Sequence, residues 1–319
     1  MKTSTSKRLR WNVAIWLAAG LFMTSTAGMA SGPIMPDPKA EARHQPQVEE
    51  TANGIPLVNI TAPSSGGVSR NEYEIFNVPD KGAILNNSYT LSKTELAGYV
   101  QGNNNMAERP AKIIVNEVTG TGSTSMDGFL EVAGNRADVV IANPNGITVN
   151  GGGFINTGKA FLTTGKPVYD GKDHLQRFDI TGGDILIEGK GLGGKETGSL
   201  AILSRAVKIN AGIWAKDLHI TTGANTVDAK TLEASAIEGK GGRPAFALDT
   251  AAIGGMYAGR ITLVGTEKGL GVNNSGVWSA EDNLTLDWNG DLKNSGTIYS
   301  KGNTDLRASH LENDKTIAA

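Results

Sequence analysis

Cysteine is absent from all 319 residues, aromatic side chains make up only 6% of them, and there are four histidines. Without cysteine there can be no disulfide bond, thiolate metal ligand or cysteine nucleophile. Two interpretations explain the absence of cysteine. Either a large hydrogen-bonded core makes disulfides unnecessary, or a chain that is translocated unfolded must not cross-link beforehand. The histidines are scattered without zinc-motif spacing, so we expect no metal site: His44, His174, His219 and His310.

An excess of positive charge is also missing. The chain has 30 basic and 32 acidic residues. Four of the basic residues and none of the acidic ones fall within residues 1–30, so the remainder has 26 basic and 32 acidic groups, a net charge of −6. Such a surface has no basic stripe, and we do not expect a nucleic-acid partner.

Long apolar runs are missing except near the start. Basic residues precede an apolar run of about eleven residues, 13–23, and small residues follow it up to Ala30. This order indicates a secretory signal peptide over residues 1–30, cleaved after Ala30 or, alternatively, after Ala27. A membrane anchor is the competing interpretation, but it would need about twenty apolar residues. The next stretch, 31–51, is rich in proline and charge and is predicted to be a flexible leader.

What the chain does have is a series of short β-branched runs from Ile55 onward, each ending at Gly, Asn or Asp. This punctuation indicates strands of three to five residues. Near the C-terminus, Asn274–Ser279 recurs as Asn294–Ser300 and again as Asn313–Ala318, with offsets of 20 and 19 residues. Trp214 and Trp278 lie 64 positions apart, close to three repeats.

A period near 20 with several short strands predicts a solenoid. The Leu-x-x-Leu-x-Leu frame of leucine-rich repeats is absent, so we predict an all-β, single-stranded parallel β-helix with about 20 residues per coil. Roughly 250 residues would form some twelve coils and a rod of about 60 Å. We expect asparagines at corners to stack as ladders and residues 55–87 to form an N-terminal β cap. The repeat is still running at Ala319, as expected for part of a longer exoprotein or for a short form.

The most informative motif is Asn143-Pro144-Asn145-Gly146, which lies between the β-branched runs 139–141 and 147–149. Proline at the second position and glycine at the fourth favour a tight turn between two strands. This motif belongs to an ordered series that includes Ile75–Pro79, Leu130–Gly134 and Gly254–Gly259.

The ordered series resembles the secretion domain of two-partner secretion exoproteins, the family of filamentous haemagglutinin and of contact-dependent growth inhibition effectors. The resemblance covers roughly residues 52–270, and residues 271–319 resemble the start of haemagglutinin-type repeats. It implies a right-handed parallel β-helix with an N-terminal cap. It also implies passage through the inner-membrane export machinery and recognition by the periplasmic domains of an outer-membrane transporter.

The resemblance also assigns candidate site residues. Asn143, Pro144, Asn145 and Gly146 match the Asn-Pro-Asn-Gly motif of the family, which either contacts the transporter or shapes a coil corner. A second family motif, Asn-Pro-Asn-Leu, is replaced here, so a proline-fixed turn is not expected at that position. The residues that occupy it are Asn103, Asn104, Asn105 and Met106. The Cys-x-x-Cys pair of some relatives is absent.

Other motifs favour structural roles. Gly189–Gly194 satisfies a nucleotide-type glycine pattern but is predicted to be a mobile loop, because no helix follows to hold a phosphate. Asp127, Glu131 and Asp138 are acids of the kind that β-helical glycan-degrading enzymes use, although nothing fixes their separation. Trp214, Trp278, Trp288 and Tyr299 could stack on sugars, but their place in the repeats favours packing, and His219 is predicted to face solvent.

We therefore predict a secreted or cell-surface domain that reaches its destination through the periplasm, without catalytic residues, cofactor or metal. Its partners would be the transporter and the inner-membrane export machinery, with host-cell or neighbouring-bacterium receptors contacted by downstream regions. The whole protein would be an adhesin, a haemagglutinin or a contact-dependent inhibition toxin. A self-standing β-helical adhesin that binds host glycan or protein is the alternative, and a polysaccharide-degrading enzyme is a weaker one.

Overall fold

Short β-strands supply nearly all the regular structure in the computed structural model, which describes residues 32–107 and 109–319. The predicted signal peptide lies outside these residues. Within this part of the chain the helical segments are two single 3-10 turns, Ala42–His44 and Asn104–Met106. Gly32–Ala319 forms one unit.

The strands are numbered in chain order. The first eleven are β1 (Ile34–Pro36), β2 (Gln47–Glu50), β3 (Pro56–Asn59), β4 (Val68–Phe76), β5 (Ala83–Asn87), β6 (Ser92–Thr94), β7 (Gly98–Val100), β8 (Ile113–Val118), β9 (Thr124–Met126), β10 (Phe129–Gly134) and β11 (Ala137–Ala142). The next eleven are β12 (Ile147–Val149), β13 (Gly152–Ile155), β14 (Thr157–Thr163), β15 (Lys166–Tyr169), β16 (Leu175–Ile180), β17 (Asp184–Ile187), β18 (Leu192–Gly194), β19 (Ser199–Ser204), β20 (Ala206–Ile209), β21 (Gly212–Thr222) and β22 (Asn225–Asp228). The last eleven are β23 (Ala234–Ala236), β24 (Phe246–Thr250), β25 (Gly255–Gly265), β26 (Gly271–Asn274), β27 (Val277–Ala280), β28 (Leu284–Trp288), β29 (Asp291–Asn294), β30 (Thr297–Ser300), β31 (Thr304–Arg307), β32 (His310–Asn313) and β33 (Thr316–Ala318).

Three parallel ladders run along the molecule, and the chain visits each of them once per coil. Face A consists of β3, β5, β10, β13, β18, the first half of β21, the first half of β25, β27, β30 and β33. Face B consists of β4, β8, β11, β14, β19, the second halves of β21 and β25, β28 and β31. Face C is an eight-stranded sheet of β9, β12, β17, β20, β24, β26, β29 and β32. The predicted all-β parallel β-helix is confirmed.

The core follows from alternation along each strand. Side chains of successive residues point to opposite faces, so an apolar residue at every second position lines the interior. In β21, for example, Ile213, Leu218 and Ile220 are buried. Ile220 pairs with Leu263, which pairs with Leu286, so aliphatic side chains stack from coil to coil. Complete burial of one such side chain stabilises the fold by about 1.5–3 kcal/mol.

The predicted asparagine ladder is present at one corner. The Nδ2 of Asn274 donates to Oδ1 of Asn294 at 2.8 Å, and the Nδ2 of Asn294 donates to Oδ1 of Asn313 at 2.7 Å. Asn274 and Asn294 are fully buried. Buried amides are costly unless they are paired, and stacking at a fixed corner pairs each amide with the next one.

The prediction of a flexible leader over residues 31–51 is wrong for the part that the structure describes. β1 pairs antiparallel with β4, and β2 pairs antiparallel with β3. His44 and Asp37 are buried, and Oγ1 of Thr119 donates to Oδ2 of Asp37 at 2.6 Å. The cap therefore includes strands upstream of the predicted range 55–87, because pairing with distant strands overrides a local composition that suggests disorder.

The predicted twelve coils and 60 Å rod are also wrong. Face A, the longest ladder, has ten strands, which at about 4.8 Å per rung span only about 43 Å. The coil step is 20 residues from Thr285 to its partner Asp305, but 40 from Phe161 to Ala201 and 43 from His219 to Thr262. The two long steps contain excursions, β15–β16 and β22–β23, which pair antiparallel to form a four-stranded outer sheet.

An ion pair between the buried Arg205 and the half-buried Glu267 anchors the segment that follows the second excursion. Nε and Nη2 of Arg205 donate to the two carboxylate oxygens of Glu267 at 3.0 and 2.9 Å. Nη1 of Arg205 donates to the carbonyl oxygen of Lys240 at 2.7 Å, in the segment that follows β23. The pair of hydrogen bonds from Arg205 lowers the pKa of Glu267, which favours the charged carboxylate.

The outer sheet also contacts the cap. Nη1 of Arg43 lies 2.8 Å from Oδ2 of Asp173, and the guanidinium of Arg70 lies 4.5 Å from the centre of the Tyr169 ring. Residues about 100 to 130 positions apart thus meet at this junction. The cap, the early rungs and the first excursion are therefore one packed unit.

The expected three-repeat spacing of the tryptophans is wrong as well. Trp214 pairs with Tyr257, which pairs with Ser279, so Trp214 is two rungs from the rung of Trp278 and out of phase with it. Trp278 and Trp288 are buried, as packing predicts, whereas Trp214 points outward. The ladders cross residue 270 without a break, because β25 pairs with β27 and β24 with β26.

Candidate functional site

The Asn-Pro-Asn-Gly motif forms a tight turn at the corner between β11 and β12. The N–H of Gly146 donates to the carbonyl of Asn143 at 3.1 Å, and Gly146 has a φ of +109°. Oδ1 of Asn143 accepts the N–H of Asn145 at 2.9 Å. Asparagine first, proline second and glycine fourth are the preferences of a type I turn, so local chemistry specifies this corner.

The two asparagine side chains of this turn also reach back to the preceding coil. Nδ2 of Asn143 donates to the carbonyl of Gly122 at 2.9 Å and to Oγ1 of Thr124 at 3.0 Å. Nδ2 of Asn145 donates to the carbonyl of Gly120 at 2.8 Å. The turn is therefore a clamp between two successive coils as well as a change of direction.

The first motif position builds a similar turn without proline. Oδ1 of Asn103 accepts the N–H of Asn105 at 2.9 Å, and the N–H of Met106 donates to the carbonyl of Asn103 at 3.1 Å. Nδ2 of Asn103 donates to the carbonyls of Ile60 and Asn86 at 2.8 and 3.0 Å. A turn forms here even though the sequence offers no proline to fix it, because the Asn103 side chain supplies the constraint.

Both motifs divide into a buried part and an exposed tip. Asn103 and Met106 are buried, as are Asn143 and Gly146. The exposed members are the middle ones: Asn104, the half-buried Asn105, Pro144 and Asn145. Only the tips offer side chains that another molecule could contact once the domain has folded.

A groove of about 600 Å³ opens beside the second motif. It runs along face C between the Asn145–Gly146 corner and the segment Pro244–Phe246. Asp184, Lys208 and Asp249 also line it. The sequence did not reveal this groove, since Pro244–Phe246 lie about 100 positions further along the chain, where it returns from the second excursion to β24.

The three acids considered for glycan hydrolysis have separate structural partners. Glu131 accepts the backbone N–H groups of Glu95 and Leu96 at 2.7 and 2.9 Å, at the tip of the β6–β7 hairpin. Asp138 accepts the N–H of Lys159 at 2.7 Å, and Asp127 accepts the hydroxyl of Ser125 at 2.9 Å. Burial raises the pKa of Glu131 and of Asp138.

The remaining candidates occupy structural positions. Leu192–Gly194 is strand β18 of face A, so the prediction of a mobile loop is wrong there. His219, predicted to face solvent, is half-buried beside its ladder neighbours; its Nε2 lies 2.8 Å from Oγ1 of Thr221, and burial lowers its pKa to about 4. Residues 32–107 and 109–319 hold no cluster of three or more His, Cys, Asp or Glu side chains suited to a metal ion, and no helix among them is long and apolar enough to span a membrane.

The architecture places the chain among the capped parallel β-helix proteins. A crystal structure of the filamentous hemagglutinin secretion domain superposes with a TM-score of 0.74 at 32% identity, covering 90% of this chain and 100% of that one. Residues 33–298 match the family described as the TPS secretion domain. The chain belongs to this family, and the match begins within the cap strands rather than at residue 52.

Relatives in several bacteria share this region. The chain is 43% identical over 298 residues to the toxin CdiA of Yersinia pestis and 44% identical over 292 residues to the 16S rRNA endonuclease CdiA of Enterobacter cloacae. It is 43% identical over 259 residues to the tRNA nuclease CdiA-2 of Burkholderia pseudomallei. These matches cover 86%, 88% and 81% of this chain but only 9%, 9% and 8% of the relatives. The shared region is thus a small part of much longer proteins.

Proposed function

We propose that this chain is recognised by the periplasmic domains of an outer-membrane transporter and nucleates β-helix folding outside the cell. Membership of the TPS secretion domain family supports an outer-membrane transporter as the partner. The inner-membrane export machinery would deliver the chain to the periplasm, and the predicted signal peptide supports that route. The final location would be the cell surface or the medium.

The observation that carries the proposal is the pair of asparagine clamps. Asn103 ties the first motif to Ile60 and Asn86, and Asn143 ties the second to Gly122 and Thr124. In the unfolded chain the same amides are free to pair with a partner. Folding withdraws them into the molecule, so recognition before folding and release upon folding can use the same residues.

For the whole protein, we propose a contact-dependent inhibition toxin or an adhesin of the haemagglutinin type. Similarity to the CdiA toxins supports the first class, and similarity to the filamentous hemagglutinin secretion domain supports the second. A toxic activity would reside outside the region described here, since the relatives are matched over less than a tenth of their length. We expect no catalysis by residues 32–319 themselves.

The direct test is export from a cell that carries the cognate transporter. Deletion of residues 70–160 removes both motifs and should leave the product in the periplasm. Normal surface delivery of this deletion variant would overturn the proposal. Export is followed by comparing the full chain in periplasmic extracts and in the medium.

Finer variants separate recognition from folding. The double change Pro144→Ala with Asn145→Ser alters the exposed tip, and Asn289→Ser is its matched control, because the exposed Asn289 makes a similar bond to a carbonyl of the preceding coil. If the tip contacts the transporter, the double variant should bind the isolated periplasmic domains at least ten-fold more weakly than the control. Equal binding and equal export would assign the tip to folding alone.

A further inference from the structure

One outward column of face A is aromatic. The pairings run from Phe129 to Gly153, then to Gly193, Trp214, Tyr257, Ser279 and Tyr299, one position per rung. We name its four aromatic members the aromatic strip: Phe129, Trp214, Tyr257 and Tyr299. Their neighbours in the strands, such as Leu130, Met256 and Ile298, are buried.

Three rings of the strip lie over glycines. A Cβ atom at Gly212 would come within 2.5 Å of the Trp214 ring, and one at Gly255 within 2.9 Å of the Tyr257 ring. Those two glycines stand two residues before the aromatic residue in the same strand, so each ring is laid back along its strand. Each ring then covers the backbone of the glycine beneath it.

The first ring extends the same surface across rungs. A Cβ atom at Gly153 would meet the Phe129 ring at 2.4 Å, and one at Gly193, a rung further, would lie 3.7 Å from it. The rings of Trp214 and Tyr257 are nearly parallel, with an interplanar angle of 16° and centres 6.1 Å apart. The surface from β10 to β25 covers five rungs, about 19 Å at about 4.8 Å per rung.

The strip remains accessible and uncharged. Phe129 is 42% exposed, and Tyr257 and Tyr299 are each 38% exposed. No position of the column carries a charge. The buried tryptophans donate their indole N–H groups, Trp278 to Thr250 and Trp288 to Leu270, whereas the described residues offer no acceptor to the indole N–H of Trp214.

We propose that the aromatic strip binds an extended, uncharged β-1,4-linked glycan that lies along the axis of the β-helix. The apolar faces of such sugar rings stack on aromatic faces, and in an extended β-1,4 chain one sugar is about as long as one rung is high. Trp214 and Tyr257 then meet successive sugars, and Tyr299 meets a sugar two rungs beyond Tyr257. The indole N–H and the tyrosine hydroxyls are polar groups of the kind that bond sugar hydroxyls.

Charge and shape select this ligand class. A sulfated or uronic-acid chain would need a row of cations beside the rings, but no position of the column is charged. The exposed Lys216 and Lys301 stand two residues beyond Trp214 and Tyr299, and Lys301 is paired with Glu281. A curved α-1,4 chain would contact a flat, straight strip through only one or two sugars before it bends away. Glycan binding of this kind is independent of export, since it concerns the folded domain alone.

The test is a titration of the purified full chain with chitohexaose and cellohexaose, followed by tryptophan fluorescence and by NMR of the aromatic resonances. Maltohexaose is the matched ligand control. We expect saturable binding of at least one β-1,4 hexaose and at least ten-fold weaker binding of maltohexaose. Absence of saturable binding by both β-1,4 hexaoses would overturn the proposal.

Variants separate stacking from simple covering of the backbone. Trp214→Leu keeps an apolar side chain over Gly212 and should retain the unfolding midpoint while weakening glycan binding at least ten-fold. Tyr257→Leu and Tyr299→Leu should act in the same direction and serve if the first variant does not fold. Tyr99→Leu is the control, because Tyr99 is exposed on the β6–β7 hairpin, outside the column.

Two results would assign the strip another role. Binding that is equal in the wild-type chain and in all three strip variants would show that the rings only cover glycine backbone. Concentration-dependent dimerisation that the strip variants abolish, without glycan binding, would make the strip an interface between two copies. Both results contradict the proposal, and sedimentation velocity distinguishes them.

Discussion

Replacement of Asn143 by alanine should destabilise the early rungs far more than replacement of Asn145, two positions away. Asn143 is fully buried and its side chain makes four hydrogen bonds: Oδ1 accepts from the N–H and from Nδ2 of Asn145, and Nδ2 donates to Gly122 and Thr124. A buried hydrogen bond contributes about 1 kcal/mol, and an orphaned buried partner costs about 1–3 kcal/mol. We expect a loss of about 2–4 kcal/mol for Asn143→Ala.

Asn145→Ala is the reference variant with which the loss of stability in Asn143→Ala is compared. The Asn145 side chain is exposed, and Nδ2 donates to the carbonyl of Gly120 at 2.8 Å, where water can replace the amide. We expect a loss below about 1 kcal/mol. Urea unfolding followed by circular dichroism measures both variants, and hydrogen exchange of residues 139–149 reports whether the loss is local, as expected for a solenoid in which each coil contacts only its neighbours.

One result would refute the clamp between coils. The motif does not hold successive coils together if the free energy of unfolding of Asn143→Ala lies within about 0.5 kcal/mol of the wild-type value. The same conclusion follows if Asn143→Ala and Asn145→Ala have the same urea midpoint. The role of the motif would then have to lie in recognition by the transporter. A large loss of stability in Asn143→Ala together with normal binding by the periplasmic domains would show that the motif acts in folding and not in recognition.

Four further changes have expected outcomes. Asn104→Pro should raise the free energy of unfolding by about 0.4–1 kcal/mol, because Asn103 is already extended at φ −80° and ψ 116°; a fall would show that the Asn104 N–H is needed. Asn294→Ala interrupts the amide ladder and should cost about 1–3 kcal/mol in urea unfolding; no change would mean that water replaces it. Arg205→Leu leaves the half-buried Glu267 carboxylate without its guanidinium partner and should cost about 1–3 kcal/mol and expose residues 238–245 to proteolysis; unchanged cleavage would contradict this. The pKa of His219 is about 4 in the folded chain and about 6.5 in the unfolded chain, so the free energy of unfolding should fall by at most about 3 kcal/mol as pH falls from 6.5 to 4. Between pH 7 and 4.5 the His219→Gln variant should lose less free energy of unfolding than the wild-type chain. Equal losses in the two proteins would refute the lowered pKa.

Much of the local structure could be predicted from the sequence, because its causes are local. Alternation of apolar and polar residues predicts the strands, and the recurrence of Asn274 as Asn294 and Asn313 predicts the amide ladder that the structure contains. The turn at Asn143–Gly146 follows from proline and glycine at fixed positions. These features depend on residues within about one coil of each other.

The errors share one cause, which is pairing over long sequence distances. Residues 34–50 have a composition typical of disorder, yet they are ordered by pairing with β3 and β4. The excursions 166–180 and 225–236 also have the pattern of strands, but nothing local separates them from rungs of the helix. Dividing all residues evenly among coils of about 20 therefore gave some twelve coils, where face A has ten strands.

By itself, the sequence determined the strand period, the corner turns and the family, since each of these is specified by the order of neighbouring residues. Only the tertiary structure decided which strands leave the helix and which outward residues align. Trp214 and Tyr257 are 43 positions apart, and their shared column exists only because the second excursion is looped out between them. Register between coils depends on where the chain re-enters the ladder, and that is settled by packing of the whole molecule.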